Sequence, residues 1–130
     1  MKIFDKNKNL LAMIIKDEDV EYEKYFATDS DQDLQVAKFN LKKDTKIDRH
    51  IHLEQKRTIY STSEVIVITR GQIEVEIFDK NLELVDNLIA KKGDIVALFQ
   101  GGHGLKMSTD CEFIEVKQGP YLEEIDKKRF

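Results

Sequence analysis

The run Glu64–Phe78, EVIVITRGQIEVEIF, constrains the fold more than any other stretch. Its first half crowds together Val65, Ile66, Val67 and Ile68, side chains that suit a pleated surface and are stiff in a helix. Its second half alternates, with Ile73, Val75 and Ile77 on one side and Gln72, Glu74 and Glu76 on the other. A period of two puts the apolar set on one face of a strand. The halves meet at Arg70-Gly71, so a buried strand is expected to turn into a half-exposed one.

Shorter strand-like runs flank this center, at 10–16, 24–28, 34–41, 84–90, 95–99, 105–108 and 112–118, with polar turns between them at 29–33, 79–83 and 91–94. A glycine-rich loop occupies 100–104. Helix is expected in two places only. The tail 120–130 opens on the single proline, Pro120, and sets Glu123 and Glu124 four residues before Lys127 and Lys128, a helix-supporting spacing. The stretch 17–25 can form one helical turn. For 130 residues, this pattern predicts one all-β domain over 1–130, a sandwich or small barrel, with no internal repeat.

Charge narrows the partners. The net charge is −4, and the basic groups at 42–46, 91–92 and 127–129 are separated and diluted by acids. Phosphate backbones are held by clustered cations, so no nucleic-acid partner is expected. Cys111 is the only cysteine, which excludes an intramolecular disulfide and fits a reducing compartment. The apolar run Leu10–Ile15 is too short for a signal-peptide core or a membrane span. The expectation is a cytoplasmic protein without a membrane partner.

His50 and His52, in RHIH, are two of the three histidines. On a strand, residues i and i+2 share a face, so the pair can form half of a metal site. The third, His103, follows the apolar run 95–99 in QGGHG. With a carboxylate, the three would give an N/O sphere suited to a divalent ion: Fe, Mn, Ni, Co or Zn. Glu64 and Glu54 are the rival carboxylates. The bland reading of Glu64 is a half-buried acid paired with Arg49, Arg57 or Arg70.

These residues resemble the two motifs of the cupin superfamily, G-x5-H-x-H-x3,4-E-x6-G and G-x5-P-x-G-x2-H-x3-N. His50, His52, Glu64 and Gly71 fall on the first, and Gly93, Gly101 and His103 on the second, so the resemblance spans about 34–118. The chain also departs from the pattern. Asp44 stands where the first motif has glycine, and eleven residues separate His52 from Glu64. Phe99 replaces the proline, His103 comes one residue early, and Met107 replaces the asparagine. The resemblance implies a double-stranded β-helix, a jelly-roll-like barrel of two antiparallel sheets, with a divalent metal on His50, His52, Glu64 and His103. It also implies a homodimer, for which Leu10–Ile15 is the candidate interface if that run is not an internal edge strand. The segments GGHG and EVKQGPY further resemble small cupins associated with sugar-nucleotide and surface-polysaccharide synthesis, which implies a sugar-like ligand.

Around the site, Arg57, Tyr60 and Lys117 are the candidate ligand-binding side chains, and Glu64, Tyr60 and Glu54 the candidate proton-transfer groups. If Glu64 points inward, Ile66 and Ile68 do too. In 112–118, Ile114 and Val116 read as the core face, leaving Glu115 and Lys117 as a solvated pair or as the lip of the barrel mouth. Three functions remain open. One is a metal-dependent isomerase or epimerase on a carbohydrate-like molecule, with a metal-free epimerase using His52 or His103 as base and Tyr60 as acid as its variant. The second is an iron-dependent dioxygenase, and the third a sugar-binding module without turnover.

Overall fold

In the computed structural model, which describes residues 1–19 and 23–130, ten strands follow one another along the chain. They are β1 (Lys2–Phe4), β2 (Leu10–Ile15), β3 (Lys24–Phe26), β4 (Ala37–Phe39), β5 (Glu64–Arg70), β6 (Gln72–Phe78), β7 (Leu84–Lys91), β8 (Ile95–Leu98), β9 (Gly102–Met107) and β10 (Glu112–Lys117). A short helix, α1, covers Glu123–Asp126. A 3-10 turn covers Asp17–Asp19, and residues 20–22 of the helical turn expected within 17–25 lie outside the described residues. None of the described helices is long and apolar enough to cross a membrane.

Every strand pairing is antiparallel. One sheet runs β1-β2-β8-β5-β10, a second runs β7-β6-β9, and β3 and β4 form a separate ribbon. No sheet closes into a barrel. The expected two antiparallel sheets are present and share a core, but they stay open rather than closing into a barrel. That core joins Leu11, Ile14, Ile66, Ile68, Val96 and Leu98 of the larger sheet to Ile73, Val75, Ile77, Leu88 and Ala90 of the smaller. Each fully buried aliphatic side chain contributes roughly 1.5–3 kcal/mol of transfer free energy.

The turn at Gly71 carries the chain from one sheet to the other, since β5 pairs with β8 and β10 while β6 pairs with β7 and β9. Gly71 has φ 78°, and a Cβ there would run into the Asp110 carbonyl oxygen. Only glycine meets both demands.

Strand β2 is buried at all six positions because both faces of its sheet are covered. Leu11, Ala12 and Ile14 face the inter-sheet core. Leu10, Met13 and Ile15 join Ala27, Val36, Ala97 and Phe99 in a second cluster on the other face. β2 therefore lies inside the sheet, between β1 and β8. Leu10–Ile15 is an interior strand rather than an edge strand.

Two further expectations are overturned. Residues 40–63 contain no strand, so His50 and His52 do not sit at a strand end. On β10 the core face is the opposite of the one read from the sequence. Phe113 packs on the inter-sheet core, while Ile114 and Val116 are 55% and 56% exposed. β10 is an edge strand whose outer face lies beyond the second cluster, so its β-branched residues face outward.

The heptapeptides FDKNKNL (4–10) and FDKNLEL (78–84) build the same turn twice, a short local repeat unnoticed in the sequence. Asp5 accepts backbone hydrogen bonds from Asn7 and Asn9, both at 2.9 Å. Asp79 accepts them from Asn81 at 2.8 Å and Glu83 at 3.0 Å. The fifth residue has positive φ in each, 65° at Lys8 and 66° at Leu82. An aspartate that caps its own turn satisfies backbone donors the strands leave unpaired.

Among the described residues, the charged residues Asp79 and Asp94 are buried, and Asp94 is sealed completely, at 0% exposure. It immediately precedes β8 and accepts hydrogen bonds from the Lys91 N–H (3.0 Å), the Asp17 N–H (3.0 Å) and the Lys16 ammonium (2.9 Å). Burial pushes its pKa up, but the Lys91, Lys16 and Asp17 bonds together outweigh burial and hold it below the usual carboxylate value. A depressed folded value means stability that is complete above the unfolded pKa and is lost as pH falls through the folded one. Asp94→Ala is expected to cost about 3 kcal/mol at pH 7 and to weaken the acid dependence of stability. Urea unfolding of both proteins between pH 7 and pH 3 measures it.

Candidate functional site

An open cavity of about 1100 Å³ lies between the two sheets. The larger sheet supplies Glu64, Leu98, Glu115 and Lys117, and the smaller supplies Glu76, Ile77 and His103. Tyr60, Ser61 and Thr62 form part of the rim, and Ile125 to Phe130 form another wall. Its size is at the upper end of small-molecule sites.

Strand register brings the charged groups together. Glu64 opens β5 and stands opposite Lys117 of β10. His103 comes from the facing sheet, where β9 sets it opposite Ile77. Its Nε2 lies 3.2 Å from Glu64 Oε2. The other carboxylate oxygen, Oε1, is 3.7 Å from Lys117 Nζ. Lys117 also meets Glu115 at 3.6 Å and Asp126 at 3.2 Å. The side chains of Glu64, Lys117 and Asp126 are only 16%, 18% and 11% exposed, so these contacts are shielded from solvent more than surface pairs are.

The hydrogen bond from His103 lowers the Glu64 pKa most. Burial opposes it, and the charges of His103, Lys117 and Lys127 add to the lowering. On Lys117, the Asp126 hydrogen bond raises the pKa against burial, helped by the charges of Asp126, Glu64 and Glu115.

Three of the candidate residues read from the sequence thus meet: Glu64, His103 and Lys117. Tyr60 stands on the rim with its side chain in solvent, at 96% exposure. Glu54 and Arg57 are exposed in the 40–63 segment and do not line the cavity. Arg57 reaches Gln55 at 3.5 Å. His50 and His52 are exposed in the same segment, their rings edge to face with centroids 5.2 Å apart, and His50 Nδ1 lies 2.9 Å from the Asp48 carbonyl. The partner of Glu64 is lysine and histidine rather than arginine, since Arg70 pairs with Glu112 at 2.9 Å.

The divalent metal implied by the resemblance needs three or four donors. Among the described residues no group of three or more His, Cys, Asp or Glu side chains is placed to hold one. Glu64 and His103 supply two donors that face each other, with His50 and His52 elsewhere. This arrangement does not fit the four-residue set.

Sequence reasoning missed Asp126 and Phe130. Both belong to the tail, read only as a charged terminal helix, and nothing in its spacing marks a return to Lys117. No family model, no curated protein and no solved structure matches the chain.

Glu64→Gln is expected to lower stability by about 1 kcal/mol at pH 7. The wild-type contribution is complete above the unfolded value near 4.5 and is lost as pH falls through the lower folded value. The gap between variant and wild type should therefore shrink below pH 4.5. Thermal melts across that range check it, and a gap constant with pH would mean that Glu64 is not held as a paired carboxylate.

Proposed function

We propose that this chain is a small cupin-like protein whose inter-sheet cavity takes a carbohydrate-like small molecule, and that Glu64 and His103 move a proton on it in an isomerase or epimerase reaction. One observation carries the reading: a shielded carboxylate hydrogen-bonded to an imidazole on the wall of an open cavity. Aldose–ketose isomerization and epimerization beside a carbonyl both remove a proton from carbon and return one. An imidazole is suited to that exchange near neutral pH. In this arrangement His103 exchanges the proton and Glu64 orients the ring. Lys117 offers an ammonium donor for oxygen charge that develops beside the carbanion. Tyr60, on the rim, is a contact for the ligand.

The proton exchange in this reading is carried by Glu64 and His103 themselves. The dioxygenase reading needs a metal on His50, His52, Glu64 and His103. A binding module without turnover needs the same cavity and no proton transfer.

The test is solvent-isotope exchange. The protein is incubated in D2O with a panel of aldoses, ketoses and keto sugars, and deuterium at carbon is read by NMR. The proposal expects incorporation with at least one of them, falling by roughly 10²-fold or more in His103→Gln. Saturation-transfer contacts with a sugar and no incorporation would support the binding module. Parallel elemental analysis tests the metal: about one ion per chain, lost in His50→Ala, would mean that the exposed histidines do join the site.

A further inference from the structure

We propose that the segment Tyr121–Phe130 is a strap that gates the cavity, held shut by two latches of different chemistry. The inference goes beyond the proposed reaction. It rests on how the segment is attached.

The first latch is ionic. Asp126 closes α1, its side chain is 11% exposed, and it meets Lys117 at 3.2 Å. Lys117 Nζ also lies 4.8 Å from the center of the Tyr121 ring. The second latch is aromatic. The Phe130 ring meets Phe78 edge to face, with centroids 5.2 Å apart at 88°. It sits against Gly102, where a Cβ would come within 2.8 Å of its Cζ. The missing side chain of Gly102 makes the room that Phe130 fills. Lys127 to Arg129, between the latches, line the cavity, as does Ile125 just before the first.

Little else holds the segment. Of residues 121–130 only Asp126 is not exposed, and Ile125 is 79% exposed. A segment with so few buried apolar contacts opens at low cost compared with the sheets. A wall that opens easily, over charged groups that are shielded when it is shut, has the properties of a gate.

The chain carries its own reporter. His103 lies inside the cavity with its side chain 33% exposed, while His50 and His52 lie outside it and are exposed. Diethyl pyrocarbonate acylates accessible imidazoles, and peptide mass spectrometry reads each histidine separately. Asp126→Asn and Phe130→Ala are each expected to speed modification of His103 by roughly 3- to 10-fold relative to His50 and His52. Gly102→Ala, which displaces the Phe130 ring, should act in the same direction and replaces Phe130→Ala if that variant loses native amide protection in β5 and β6. Unchanged relative rates overturn the gate. So does a rise confined to Asp126→Asn, which would report a charge effect on His103 rather than access. No sugar is involved, so failure here is distinct from failure of the isomerase reading.

Discussion

Everything else in this protein depends on the five-stranded sheet being covered on both faces. Ala12, Ala97 and Val96 are completely buried, and no one-sided sheet buries neighbors of opposite orientation. The smaller sheet covers one face, and the segment carrying β3 and β4 brings Ala27 and Val36 onto the other. Small side chains at Ala12 and Ala97, cross-strand neighbors of Leu98 and Met13, let the layers approach while larger aliphatics fill the gaps. The sandwich opens into the cavity where this filling stops. Past Ile66, the next inward position on β5 is Glu64 rather than another aliphatic. On β10 the inward series Phe113, Glu115, Lys117 leaves the core in the same direction.

The core was legible where burial is one-sided and periodic. Ile73, Val75 and Ile77 alternate in sequence and are buried in the structure at 0%, 0% and 1% exposure. The inward direction of Ile66 and Ile68 followed from the same period. β10 was misread because its two faces compete. Ile114 and Val116 are the more apolar pair, and intrinsic β-propensity cannot tell the face that meets a partner sheet from an outer face at a sheet edge. The choice was made by register, since Lys117 must stand opposite Glu64. A sequence pattern does not carry that long-range fact.

The site was legible in half its members for a related reason. Glu64 and His103 are anchored on β5 and β9, so ladders fix where they point. The His50/His52 pair was placed by alternation and by the resemblance of its spacing to a motif. Ile47, Ile51 and Leu53 do alternate with polar residues, but alternation describes one strand and a strand needs a neighbor about 4.8 Å away to take its hydrogen bonds. Without that ladder, Ile51 and Leu53 stay 82% and 73% exposed and the histidines beside them face solvent. The eleven residues between His52 and Glu64 are the sequence correlate: so long a segment does not tie the histidines to the start of β5.

The charge pattern bears on which ligand suits the cavity. Lys117 is one ammonium within reach of three carboxylates, those of Glu64, Glu115 and Asp126. A second anion brought to it would meet repulsion from all three at short range in a partly shielded space, where charges interact more strongly than in bulk water. A neutral polyol meets no such penalty. Its hydroxyls can donate to the carboxylate oxygens that Lys117 and His103 leave free and accept from the ammonium. The carboxylates around Lys117 therefore favor a hydroxyl-rich ligand over an anionic one at that position. The strap takes part in that preference, because one of the three carboxylates belongs to it. With the strap shut, Lys117 is engaged by all three carboxylates. When it opens, Lys117 loses its nearest partner at the same moment the ligand gains its path.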